Sequence, residues 1–321
     1  MEASGLWGIA PERVRASGSP AAARLVRVRR VWSVARRSVV SFYRDQGTHH
    51  AAALTYYALM SVFPMLLLAV SLLGVIGQYP ATYNTIVQHL RGVVPAVTLA
   101  PLSTAVRAAL KDRGTAAAAL VLAIATAAYG GTGYLEAARR ALNVVFDVRR
   151  GRSFVRRKLT DVASLLMLLA LVLVTLVLMF AGGDDARKVL GPAAGSLWRV
   201  LRWPGAFASA LLAFSFVYFV TPDVRQRAFR WVLPGALVGV AAWLGVSAAF
   251  DTYLEHFKSF NVTYGSFAAA IILLVWLWLS NVALLFGAII NAEIERAHEL
   301  AQGVPEAQTL NLPPRARGRA P

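Results

Sequence analysis

A chain of 321 residues with 57% hydrophobic side chains carries more apolar surface than one soluble domain of that size encloses, which points to lipid as part of its solvent. Its 33 Lys and Arg against 16 Asp and Glu leave a net charge of +17, a sum that would suggest nucleic acid in a soluble protein but here means little until the charges are located. The absence of cysteine excludes disulfides and thiolate metal sites.

In chain order, residues 1–23 are rich in Gly, Ser, Ala and Pro and are expected to form a disordered arm. Over 24–45, Leu25, Val28, Val31, Trp32, Ala35, Val39 and Phe42 share one side of a helix, with Arg27, Arg30, Arg37 and Arg44 on the other. That pattern suits an interfacial amphipathic helix or one docked on its neighbours. Six stretches of 18 to 26 residues then lack any Asp, Glu, Lys or Arg: Ala51–Ile76, Thr115–Leu135, Val162–Ala181, Pro204–Thr221, Trp231–Phe250 and Ser266–Ile290. At about 1.5 Å per residue each spans, or nearly spans, a hydrocarbon core of roughly 30 Å. The first begins far behind a basic arm and is too long for a signal-peptide core, so it is expected to remain as a span.

Short helices are expected on the outer face within Gln78–Gly114, and an interfacial stretch anchored by Trp198 and Trp203 within Gly182–Trp203. Tyr264 to Ser266 read as a turn with Ser266 as N-cap, and 299–321 as a disordered tail. The segments assigned to one side hold 24 of the 33 cations and the alternate loops nine. Cytoplasmic segments retain the excess of Lys and Arg, so both termini are expected there. The fold class is therefore all-α, a polytopic transmembrane bundle of six spans within 46–298.

The order and content of several runs carry a family resemblance. AAALTYYALMSVFPMLLLAVSLLGVIG from Ala51, ALNVVFDV from Ala141, PGALVGVAAWLGVSAAFDTYL from Pro234 and YGSFAAAIILLVWLWLSNVALLFGAIINAE from Tyr264 together resemble the YihY/BrkB family. The resemblance implies a multi-pass protein of the bacterial cytoplasmic membrane; relatives carry the names virulence factor BrkB and ribonuclease BN. It implies a location and a bundle more than a reaction.

Nuclease chemistry needs a metal cluster or a paired general acid and base. The histidines at 49, 50, 89, 256 and 298 are dispersed by the expected topology, and no HExxH, HxH or carboxylate-rich run accompanies them. No catalytic residue, metal or cofactor is assigned, and the chain is expected not to be an enzyme. No ionisable group lies within a span and no GxxxxGK[ST] run is present, so neither an intramembrane carboxylate relay nor ATP-driven transport by this polypeptide is suggested.

What the spans hold is neutral: Tyr56, Tyr57 and Ser61 in the first, Tyr129 with Gly130, Gly131 and Gly133 in the second. Small and hydroxylated residues ordinarily serve close helix packing; a groove lined by hydroxyls and aromatics, opening between these two helices, is the functional alternative. Below them Glu136, Arg139, Arg140 and Asn143 fall on one helical stripe, where an arginine fork matches two phosphate oxygens. Asn291 and Glu293 close the last span and are expected to pin it against the Glu136 region. These ten residues are the candidate lipid or substrate contacts. The expected partners are membrane lipids, with anionic headgroups at the cytoplasmic face, and no nucleic acid. The expected role is support of the envelope by moving or flipping a lipid-like amphipath, with a non-transporting scaffold as the alternative and a membrane ribonuclease third.

Overall fold

The computed structural model describes residues 20–75, 113–148, 154–180, 192–256 and 268–302, with residues 310, 312, 313 and 315 of the tail. These residues form seven α-helices: α1 Pro20–Arg44, α2 Gly47–Val75, α3 Arg113–Val145, α4 Phe154–Phe180, α5 Pro192–Val220, α6 Leu233–His256 and α7 Ala268–Ala301. A 3-10 turn at Phe229–Trp231 precedes α6. No strand occurs among the described residues. Stretches of α4, α5, α6 and α7, at Arg157–Thr175, Val200–Val220, Leu233–Tyr253 and Ala270–Ala301, are long and apolar enough to cross a membrane. The other two expected spans lie on α2 and α3, helices of 29 and 33 residues.

Boundaries differ from expectation where local signals compete. The fourth span does not begin at Pro204; α5 runs through that proline and takes in both Trp198 and Trp203, so the expected interfacial stretch is partly helix. Segments buried in a bundle or lipid satisfy backbone groups by staying helical, which outweighs one lost hydrogen bond. The last helix continues beyond Ile290 to Ala301, carrying Asn291 and Glu293 inside a helix rather than at its end. The outer helices expected around Gln78 and the turn at Tyr264–Ser266 lie outside the described residues.

Consecutive helices from α2 to α7 are neighbours, and α7 returns to α2, so six helices form a closed ring with α1 laid against α7 and α2. The order of facing residues on α2 and α3 runs in opposite directions, as in antiparallel neighbours. On α2 and α3, Gly133 faces Tyr57 and Gly130 faces Ser61. Between α3 and α4, Arg139 pairs with Asp161 and Gly131 abuts Leu165. Between α6 and α7, Gly235 meets Asn291 and Trp243 donates to the Ser280 hydroxyl at 3.2 Å.

In lipid, apolar burial gives little net drive between helices, so the seams rely on close approach and polar contacts. Gly235 and Gly287 show this most sharply: a Cβ at Gly287 would lie 2.5 Å from both the Gly235 carbonyl oxygen and the Tyr218 hydroxyl. The Tyr218 hydroxyl donates to the Leu284 carbonyl at 2.6 Å, tying α5 into the same seam. A second node joins three helices: Tyr134 donates to Asn281 Oδ1 at 2.9 Å, and Asn281 Nδ2 donates to Thr55 Oγ1 at 3.1 Å.

The apolar core gathers at the end where α2, α6 and α1 meet the C-terminal parts of α3, α5 and α7, around Leu54, Leu142, Phe146, Val232 and Ile289. The local sequence makes the turns there. Asp147 sits at φ 52° directly after α3, Val148 N–H reaches back to the Asn143 carbonyl at 2.8 Å, and Asp147 N–H to Val144 at 3.2 Å, which closes the helix with a left-handed cap. Gln46, at φ 53°, similarly separates α1 from α2.

The tail, expected to be without fixed structure, is seated at its described residues. Leu310 is buried in the core, and Arg315 donates to the carbonyls of Val224 at 2.9 Å, Val220 at 3.2 Å and Phe219. Phe219 and Val220 close α5, where carbonyls lack helical partners, so a single guanidinium caps the helix end.

Candidate functional site

Nearly all of the described ion pairs lie at the end of the ring just outlined, and they sort the ten candidate residues into two groups. The reason is angular: neighbouring residues on a helix point about 100° apart, so a basic run cannot serve one surface.

The first group is engaged inside the protein. Arg139, 3% exposed, pairs with the buried Asp161 across the α3–α4 seam. It is not available as half of a phosphate cradle. Asn143 Nδ2 donates to Asp223 Oδ2 at 3.0 Å while its Oδ1 accepts from the Asp223 N–H at 2.9 Å, which fastens α3 to the turn after α5. Asn291 Oδ1 accepts from the Gly235 N–H at 2.7 Å and its Nδ2 donates to the Val232 carbonyl at 3.0 Å, so it serves the first turn of α6 rather than the Glu136 region. Glu293, 1% exposed, accepts from the Ser41 hydroxyl at 2.7 Å and pairs with Arg296, and Arg37 Nε lies 3.5 Å from its second oxygen. The expectation that Asn291 and Glu293 meet Glu136 therefore gives way to contacts with α6 and α1. Both sit on α7, and in the ring α7 adjoins α6, α2 and α1 at this end.

Arg296 continues the chain of charges to Asp147 at 3.0 Å, and Asp147 Oδ2 also accepts from the Leu310 N–H at 3.2 Å. Four charges thus alternate in sign, Arg37, Glu293, Arg296 and Asp147, and link α1, α7, the α3 cap and the tail. Arg227 and Glu295 add a pair at 2.7 Å beside Trp231, whose ring also meets His298 at 5.2 Å. A buried charge persists only when it is paired, and this network pairs each one, although Arg37 Nε, Glu293 Oε2 and Arg296 Nε make no hydrogen bond. The sequence places Arg37 on the basic face of its helix and assigns Arg296 no role. Its i+3 spacing from Glu293 was the local hint; Asp147, 149 positions away, offered none.

The second group faces outward. On α3, Tyr129, Gly133, Glu136 and Arg140 recur at four, three and four residues and form one stripe. Tyr129 is 83% exposed and the Arg140 side chain 77%, with Glu136 half-covered beneath it. Arg140 donates to Glu136 Oε1 at 2.7 Å. Across the seam, Tyr57 packs on Gly133 and stands edge-on to Tyr56 with ring centroids 5.3 Å apart, and Tyr56 is 58% exposed. Ser61 spends its hydroxyl on the Tyr57 carbonyl at 2.7 Å. A Cβ at Gly130 would fall 3.2 Å from the Ser61 Cα, so the glycines bring α2 and α3 together rather than leaving a slot between them. The hydroxyl and aromatic groups line the outside of a closed seam.

The hydrogen bond from Arg140 holds the Glu136 carboxyl below the usual carboxylate range. A carboxyl depressed in the fold stabilises fully above its unfolded value of about 4.3 and loses that contribution as pH falls through the lower, folded value. Because Arg140 is largely exposed, solvent screening limits the pair to under about 1 kcal/mol. Wild type and Glu136→Gln, unfolded in parallel between pH 7 and pH 3, are expected to differ slightly at neutral pH and to converge in acid. A difference that grows in acid would contradict this pairing.

Among the described residues no group of three or more His, Asp and Glu converges as a metal site. The family model for virulence factor BrkB matches residues 38–310. The putative ribonuclease-like protein YfkH of Bacillus subtilis is 26% identical over 260 residues, covering 79% of this chain and 92% of its own length. UPF0761 membrane proteins of Nitrosospira multiformis and Chromohalobacter salexigens are 29% and 28% identical, covering 80% and 79% of this chain. This chain spans only 59% and 61% of those two relatives' lengths. No solved structure matches it. With several helices apolar and long enough to cross a bilayer and a match over most of its length, this chain belongs to the virulence factor BrkB family and is a multi-pass membrane protein.

Proposed function

We propose that this protein is a six-span, non-enzymatic bundle of the bacterial cytoplasmic membrane, with both termini in the cytoplasm, that supports the envelope by carrying a lipid-like amphipath between leaflets along the α2–α3 face. The closed ring of six helices, α2 to α7, supports the span count, since an even number of antiparallel crossings returns the chain to its starting side. The arginine-rich end is the cytoplasmic one, in keeping with 24 of 33 cations on that side.

The carrying observation is the outward line of Arg140, Glu136, Tyr57, Tyr56 and Tyr129, which runs from the charged end up the outside of a closed seam. A headgroup crossing bare hydrocarbon loses its hydrogen bonds, at several kcal/mol per unsatisfied polar group. Tyrosine hydroxyls at span depth replace part of that hydration while the acyl chains remain in lipid. The ribonuclease-like name of YfkH draws no support from these residues, because Asp147, Asp161 and Glu293 are held by arginines as ion-pair partners rather than set as general bases.

Liposomes reconstituted with the purified protein and fluorescent lipids of several headgroups test the reading. Leaflet exchange is expected to accelerate, and the combined Tyr57→Phe, Tyr129→Phe and Arg140→Gln variant to slow it about a hundredfold, from losing three hydrogen bonds of about 1 kcal/mol each. No acceleration with any headgroup would overturn transport and leave the scaffold reading; full activity in the variant would move the track elsewhere.

A further inference from the structure

We infer that the outward side of α1 is a binding surface for anionic bilayer headgroups. The rotation of α1 is set by its inner contacts: Ser41 and Arg37 reach Glu293, and the buried Phe42 ring stands edge-on to Phe286 at 6.2 Å. Ser38, fully buried, lies on the same inner arc. About 180° away, Trp32 is 72% exposed and Tyr43 71%, with Val39 and Val40 beside them. Of the apolar stripe legible in the sequence, Phe42 packs inward while Trp32, Ala35 and Val39 do not.

The helix is thus inverted relative to one packed in water, with serines inside and large apolar groups outside. Arg29 and Arg36, both exposed, fall on that outer arc about one turn before and one turn after Trp32. Water disfavours the aromatics and hydrocarbon disfavours the arginines; the headgroup boundary accommodates both. An anionic surface supplies the complementary charge. A second copy of this chain, meeting the patch by two-fold symmetry, would set arginine against arginine.

This inference extends the lipid partnership proposed above, but its test needs no transport, so the two readings fail separately. The chain has no cysteine, so Trp32→Cys, Val40→Cys and, as an exposed control just past α7, Gln302→Cys can each carry one environment-sensitive fluorophore in the full-length protein. The labelled proteins are placed in nanodiscs of phosphatidylcholine alone, or with phosphatidylglycerol, containing a lipid spin-labelled near the headgroup. Quenching at 32 and 40 but not at 302 is expected, roughly doubled by phosphatidylglycerol. That increment is expected to vanish in Arg29→Gln, Arg36→Gln. Absence of quenching at 32 and 40 overturns the surface. Quenching equal in both lipids and indifferent to the arginines overturns its anionic ligand. Dipolar coupling between spin labels at position 40 of two copies overturns the lipid occupant in favour of a dimer.

Discussion

Glu293→Ala is expected to destabilise the protein by about 3–5 kcal/mol, the cost of leaving buried charges without their counter-ion. The carboxylate is 1% exposed and Arg296 3%, so neither regains water when the other is removed. The same substitution frees Ser41 and Arg37 on α1, which tie that helix to α7. The loss is therefore expected in two readouts: a lower unfolding midpoint in detergent, and faster proteolysis within 20–44. Glu293→Gln keeps an acceptor for Ser41 but not the charge, and is expected to fall between the two. An unchanged midpoint in Glu293→Ala would show that the charge chain from Arg37 to Asp147 contributes nothing to the fold.

The second large effect is steric. Gly287→Val places carbon against the Gly235 carbonyl, the Tyr218 hydroxyl and the Gly239 Cα, two of them backbone and the third hydrogen-bonded to it. Overpacking of this kind costs about 1–3 kcal/mol where side chains can move, and more where backbone must. Separation of α6 from α7 would also break the bonds from Asn291 to Gly235 and Val232. Gly245→Ala is the matched control on α6, since nothing lies within 4 Å of a Cβ there. The valine variant is expected to lose its single size-exclusion peak or melt well below wild type, whereas Gly245→Ala is unchanged or slightly raised. Similar behaviour of the two would refute the tight α6–α7 seam.

The glycines illustrate how far residue types carry meaning. Gly130, Gly131 and Gly133 admit both a packing and an opening role on composition alone, and their neighbours Ser61, Leu165 and Tyr57 decide for packing. Tyr56, Tyr57 and Tyr129 were recognisable as polar groups in apolar spans, but whether they lined an interior groove or an outer face depended on which side of each helix the partner took. The Trp32 side of α1 is similar: periodicity shows two faces, and the contacts of Ser41 and Phe42 choose which one is turned inward.

Sequence alone determined the all-helical class, the membrane setting and the family, because charge-free runs, helical periodicity and the order of apolar motifs are properties of residues close together in the chain. It also placed Arg139 and Arg140 three and four residues beyond Glu136, either of them within reach of its carboxylate on one helix. Only the tertiary structure separated Arg139 from Arg140, joined Arg296 to Asp147 and seated Arg315 on the end of α5. Adjacent arginines are chemically identical, yet the helix turns them to different sides; one finds a buried carboxylate on the next helix and the other an open surface. Which carboxylate lies within reach depends on how six helices close into a ring, and that is decided by packing between residues far apart in sequence.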